Sequence, residues 1–196
     1  MKQNPKENIS LPTKRQVETE RKRYRRQKAY NKALRGTVYV LTLVAAVAVL
    51  IATLVLPVLQ IEGTSMEPTL NDGDIVLLVK KNDLQTGDLC AFYYSNKILI
   101  KRVIATPGDY IWIESDGTVY LNGEPLDEPY VSEKALGECD VEFPYQVPEN
   151  NYFVMGDKRE TSIDSRSSVI GCIAEDQIVG KIFCKFWPLS EFAFID

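Results

Sequence analysis

The feature that most constrains this chain is the run GTVYVLTLVAAVAVLIATLVLPVLQI, Gly36 to Ile61, which contains no charged residue. About 20 apolar residues cross a hydrocarbon layer roughly 30 Å thick as a helix. A Lys, Arg or Asp at the centre of such a helix opposes insertion by roughly 2.5–3.5 kcal/mol. Core helices of soluble domains are shorter or amphipathic, so residues 36–59 are predicted to be a transmembrane anchor. A cleaved secretory signal fits poorly. The basic segment in front is too long, the apolar core exceeds the usual roughly 7–15 residues, and no small-x-small site closes it.

Charge divides at the same place. Residues 1–35 carry 12 Lys/Arg and 3 Asp/Glu, whereas the remaining 161 residues carry 11 Lys/Arg and 24 Asp/Glu. Basic residues flanking a span favour the cytoplasmic side, which makes 1–35 a cytoplasmic tail and 60–196 an extracytoplasmic domain in a single-pass cell-membrane protein. A nucleic-acid-binding arm is the rival reading of the basic run. The span already accounts for that charge, and no nucleic-acid partner is expected.

Beyond Gly73 the chain reads as short strands between turn signals. DIVLLVK, DLCAFYY, KILIKRVIA, NYFVMGD and IVGKIFCKFWPL are β-rich runs, and DYIWIESDGTVYLNGEPL carries Asp-Gly and Asn-Gly turns that predict consecutive hairpins. The prediction is a mainly β domain of antiparallel sheets, barrel-like or packed, with no globular-length helix outside the membrane and an irregular excursion at about 123–148. The four cysteines, Cys90, Cys139, Cys172 and Cys184, fall in this domain and permit two bridges. Cys90 and Cys184 lie in apolar runs and read more simply as small buried hydrophobes.

Just past the anchor, QIEGTSMEPTL presents Ser65, and the chain has no histidine. That excludes a Ser-His-Asp triad and, with no Cys-x-x-Cys pair, leaves no metal site to expect. Gly-x-Ser-x-Gly and Ser-x-x-Lys are also absent. Any base for Ser65 is then Asp, Glu, Tyr or Lys. A lysine serves once burial brings its pKa from about 10.4 to about 8, which corresponds to roughly 3 kcal/mol. Of the eight lysines beyond the anchor, Lys101 in ILIKRVIA is the one most closely bracketed by aliphatics. At period two it shares a face with Leu99 and Val103. The plainer reading is a strand lysine snorkelling to water. Arg102 is unsuitable because its pKa exceeds 12.

SMEPTL, GDIVLLVK, TGDLCAFYY, IKRVIATPGD, DGTVYLNGEPLDEPYV, GDKRETSIDSR and IVGKIFCKFWP stand in this order. The series resembles the bacterial type I signal peptidases, over residues 59–188, in the compact single-span form of Gram-positive bacteria. The resemblance implies a nucleophile at Ser65 and a general base at Lys101. It further implies a lysine-orienting hydroxyl at Ser162, an ion pair between Asp164 and Arg166, and apolar substrate-pocket positions at Ile61, Met66, Leu70 and Leu99. It implies no cofactor, secretory preproteins as substrates at the lipid bilayer, and small side chains at −1 and −3.

Two positions depart from the family pattern. Gly63 stands where some members carry a serine that donates to the oxyanion, leaving backbone N–H groups, Ser65 foremost, or the Thr64 hydroxyl. Lys158 replaces the usual asparagine of Gly-Asp-Asn-Arg and is expected to point to solvent. The C-terminal FWPLSEFAF aromatics read equally as an interfacial belt or a core strand. Alternatives to a general signal peptidase are a relative dedicated to one substrate, such as pilin precursors, and a non-catalytic membrane-anchored assembly factor.

Overall fold

The computed structural model describes residues 13–55, 57–80 and 83–195. The chain divides into two compact units, one ending at Ile51 and the other beginning at Ala52. Helix α1 spans Lys14–Val55. At its start the Gln16 side chain accepts hydrogen bonds from both the Thr13 N–H (2.9 Å) and its hydroxyl (2.7 Å), and the Thr13 carbonyl accepts from the Gln16 and Val17 N–H groups. Arg, Lys, Gln, Glu and Ala dominate the following turns and favour helix. By length and composition α1 can cross a membrane, and it is the one such helix among the described residues. It begins well before the apolar run. Pro57 cannot continue the helix ladder because it lacks an N–H, and Val58 and Leu59, counted above with the anchor, are strand.

The remaining elements are strands: β1 Val58–Gln60, β2 Ile75–Val79, β3 Leu89–Tyr94, β4 Lys97–Ala105, β5 Tyr110–Ile113, β6 Val119–Leu121, β7 Glu124–Pro125, β8 Tyr145–Gln146, β9 Asn151–Met155, β10 Ile173–Ala174, β11 Ile178–Trp187 and β12 Ala193–Phe194. Two single 3₁₀ turns are the only helical segments described beyond α1. The larger sheet runs β1-β2-β11-β3-β4-β9-β10 with β12 also on β11; the smaller runs β7-β6-β5-β8. Every pairing is antiparallel. The Asn-Gly signal performs as expected: Asn122 (φ 54°) and Gly123 (φ 90°) form the left-handed turn between β6 and β7. No closed barrel forms among the described residues, because β1 pairs only with β2 and β10 only with β9.

β3 and β4 form the axis of the larger sheet, and side chains on their two faces enter different cores. Leu89 and Ala91 pack with Ile61, Met66, Leu70, Val76, Leu78 and Ile182, while Cys90 and Phe92 pack with Val103, Val154 and Ile173. A third cluster, with Ile104, Ile111, Val119 and Phe153, ties the smaller sheet to the end of β4. All four cysteines are free thiols, with Cys90 and Cys184 buried as small apolar groups and burial pushing the Cys90 thiol up to about 12. The C-terminal aromatics do not join a core: Phe186, Trp187, Phe192 and Phe194 are 44–71% exposed.

Candidate active site

Ser65 sits on a short turn that its neighbours hold in place. Ile61, Met66 and Leu70 are all buried in the first core cluster and anchor the segment on both sides of the serine. Backbone bonds close the turn, from Glu67 N–H to Thr64 O (3.1 Å) and from Leu70 N–H to Met66 O (2.9 Å). The Gly63 N–H donates to Asp72 Oδ1 at 2.7 Å, so that amide is already engaged. The Ser65 N–H has no acceptor among the described residues. Ser65 itself is half-buried.

Lys101 approaches from β4. It is 5% exposed, and its Nζ lies 2.8 Å from Ser65 Oγ and 2.9 Å from Ser162 Oγ. No carboxylate lies in ion-pair contact with it among the described residues. Burial lowers its pKa, Asp164 pushes back, Arg166 lowers it again and Asp157 raises it; desolvation wins and the value falls to about 8. A lysine in this state is a competent base near neutral pH.

A cleft of about 430 Å³ opens above the pair, lined by Leu59–Gly63, Ser65, Met66 and Lys97–Lys101. Its walls are two strand margins. β1 is the end of the sheet, and β4 is paired on only one side until Arg102 meets Met155 of β9. Unpaired backbone groups on such margins accept an extended peptide.

Behind the pair lies the loop from Gly156 to Arg166. A Cβ on Gly156 would come 2.6 Å from Ser65 O and 2.6 Å from Ser162 Cβ, so only glycine lets this backbone lie against both serines. The loop contains six charged residues in eleven, and Asp157, Arg159, Asp164 and Arg166 are buried. Each is matched. Asp157 takes two bonds from Arg102 (2.8 and 2.6 Å), over which the Tyr130 ring stacks at 3.8 Å. Arg159 grips Glu128 with both terminal nitrogens (2.5 and 3.1 Å). Arg166 binds Asp164 at 2.8 Å and donates to Leu136 O, Arg159 O and Ser162 O. No buried side-chain polar atom described is left without a partner, the condition under which buried charge is tolerated.

Ser65, Lys101 and Ser162 thus meet, with the Asp164–Arg166 pair beside them. Ile61, Met66 and Leu99 line the cleft, whereas Leu70 is wholly buried in the core and contributes to the cleft only by supporting Met66 and Ile61. Lys158 does not extend freely into solvent. Its Nζ pairs with Glu67 Oε2 at 2.8 Å, and its N–H donates to Ser65 O, joining the loop to the serine turn because Glu67 is the nearest carboxylate on that turn. It does not figure among the charges acting on Lys101. Sequence reasoning passed over Glu128, Tyr130, Asp157 and Arg159. The density of charge in GDKRETSIDSR was the available signal, but it reads equally as a solvated loop.

Residues 34–187 match the family described as signal peptidase, peptidase S26. Signal peptidase IB of Staphylococcus aureus strain MRSA252 is 40% identical over 154 residues, covering 68% of this chain and 79% of that protein. Signal peptidase I of Bacillus licheniformis is 38% identical over 144 residues, covering 67% and 76%. A crystal structure of a signal peptidase I from Enterococcus faecalis V583 covers 50% of this chain and 96% of its own at 28% identity, with a TM-score of 0.43. The chain belongs to the signal peptidase family, peptidase S26.

Proposed function

We propose that this chain is a membrane-anchored endopeptidase that removes N-terminal signal peptides from secretory preproteins, with Ser65 as nucleophile and Lys101 as general base. The observation that carries this reading is the 2.8 Å approach of a buried lysine amine, with no ion-paired carboxylate among the described residues, to a cleft serine. The neutral amine takes the Ser65 proton as Oγ attacks the scissile carbonyl. The Ser65 N–H, free of acceptors among the described residues, is the backbone donor for the oxyanion. Lys101 then returns the proton to the leaving amine, and the acyl-enzyme carries the signal peptide until a water activated by the same lysine releases it. Ser162 holds the amine on line.

The substrate enters extended between the margins of β1 and β4, and the walls formed by Ile61, Met66 and Leu99 restrict −1 and −3 to small side chains. The basic residues before the anchor set the N-terminus in the cytoplasm and the site on the outer surface. There a tethered serine meets the emerging cleavage site with a large gain in effective concentration. The exposed C-terminal aromatics suit the lipid interface beside it.

The test is processing of a generic preprotein by the detergent-solubilised full chain beside Ser65→Ala and Lys101→Ala. Cleavage by the wild type and its loss in both variants is expected. A folded but inert wild type, or an active Lys101→Ala, would overturn the mechanism. Several preproteins assayed together distinguish a general enzyme from one dedicated to a single substrate.

A further inference from the structure

The family match begins at residue 34, so the helical turns from Lys14 to Ala33 lie outside it. These turns are exposed and, from Lys14 to Arg35, hold ten Lys/Arg against Glu18 and Glu20. The charges are not spread evenly. Arg21, Arg25, Lys28, Lys32 and Arg35 recur at four- and three-residue intervals and so share one face for about 21 Å. Gln16, Glu20, Tyr24, Gln27, Asn31 and Leu34 form another face without a basic residue.

We propose that this arm is an electrostatic lipid-binding element whose basic face lies along the anionic phospholipid headgroups of the leaflet from which the anchor emerges. The proposal rests on the reading of α1 as a membrane anchor. Charge complementarity and tethering favour lipid over other polyanions, since Arg35 directly abuts the charge-free run and is held at the headgroups. An upright helix would leave Arg21 beyond the screening distance of roughly 10 Å. Each basic residue brought to the surface shifts the balance roughly fivefold. Net of the two acids, the seven basic residues from Lys14 to Arg26 favour a lowered arm by roughly 10³. Interrupting about three helical hydrogen bonds opposes it by roughly 10². Gly36, at the junction and with open space around it, is the joint where the helix is weakest. The face without an apolar stripe holds the arm on the surface rather than in it.

The full chain would be placed in nanodiscs of phosphatidylcholine alone or with about one-third phosphatidylglycerol, and trypsin cleavage within residues 14–35 timed, a small chromogenic substrate calibrating the protease. Cleavage about tenfold slower in the anionic discs is expected, with the difference lost in roughly 0.5 M salt. It should also shrink when Arg21, Arg25, Lys28, Lys32 and Arg35 are changed to Gln, which leaves five trypsin sites. Equal cleavage in the two lipids would overturn the proposal. So would protection by added transfer RNA in phosphatidylcholine discs without protection by anionic lipid, which assigns the arm to nucleic acid. A chain that fails to enter either disc refutes the anchor itself and is told apart from these outcomes by its absence from the disc fraction.

Discussion

Two buried lysines in the larger sheet face opposite electrostatic environments. Lys101 on β4 and Lys185 on β11 are 5% and 8% exposed. Lys101 meets two serine hydroxyls, and burial leaves its pKa near 8. Lys185 meets Asp74 at 3.1 Å and Glu191 at 2.9 Å; burial pulls it down, but the hydrogen bonds and charges of Glu191 and Asp74 hold it above its usual value. Burial alone therefore does not lower a lysine's pKa. It falls where burial comes without a carboxylate at contact distance, and the fold spends stability to create that place.

The largest contrast comes from replacing each lysine by methionine. Lys101→Met should lower kcat by roughly 10²–10⁴ yet stabilise the fold by up to about 3 kcal/mol at pH 7, read by denaturant unfolding. The sign follows from the depressed value. Between about pH 8 and 10.5 the unfolded lysine holds a proton that the folded one has lost, so wild-type stability rises with pH and the variant's advantage shrinks across that window. An advantage that persists unchanged to pH 11 would break the contrast.

In the proposed mechanism the same value sets activity. Preprotein cleavage, as kcat/KM, should fall tenfold per pH unit below about pH 8, or about a hundredfold by pH 6. Lys185→Met is expected to keep that limb while losing roughly 3–5 kcal/mol of stability, because buried Asp74 is left with an uncompensated charge. Its raised value means that the wild-type contribution is complete at neutral pH and disappears only above about 10.5.

Ser162→Ala sharpens the contrast at the hydroxyl side: kcat should drop about fivefold with KM unmoved, since one hydrogen bond orienting the amine is worth about 1 kcal/mol. The smallest effect belongs to Lys158→Asn. This removes the half-exposed pair with Glu67, and a change below about fivefold is expected because such pairs contribute roughly 0–1 kcal/mol. A displaced acidic limb in this variant would mean that Lys158 acts on Lys101 after all.

Much of this was legible in the chain. The period-two runs around Leu78, Phe92 and Val103 became strands, Asn122–Gly123 became the hairpin turn, and the ordered motifs brought Ser65, Lys101 and Ser162 to one place. Leu70 was misplaced because an apolar residue in a motif can face a cleft or a core with identical local pattern. Lys158 was misread because its partner, Glu67, lies on another segment of the chain. The burial of Asp157, Arg159 and Arg166 was invisible for the same reason: their partners are Arg102, Glu128 and the carbonyl of Leu136.

The sequence by itself determined what depends on neighbours along the chain: a charge-free run long enough to span a bilayer, a basic segment before it, and strand-forming alternation after it. Only the tertiary structure decided which lysine has a lowered pKa, which carboxylates are matched and which leucine lines the cleft. Desolvation and Coulomb energy sum over every group within a few ångströms, and around Lys101 those groups come from β3, β9, the Ser65 turn and the loop carrying Ser162.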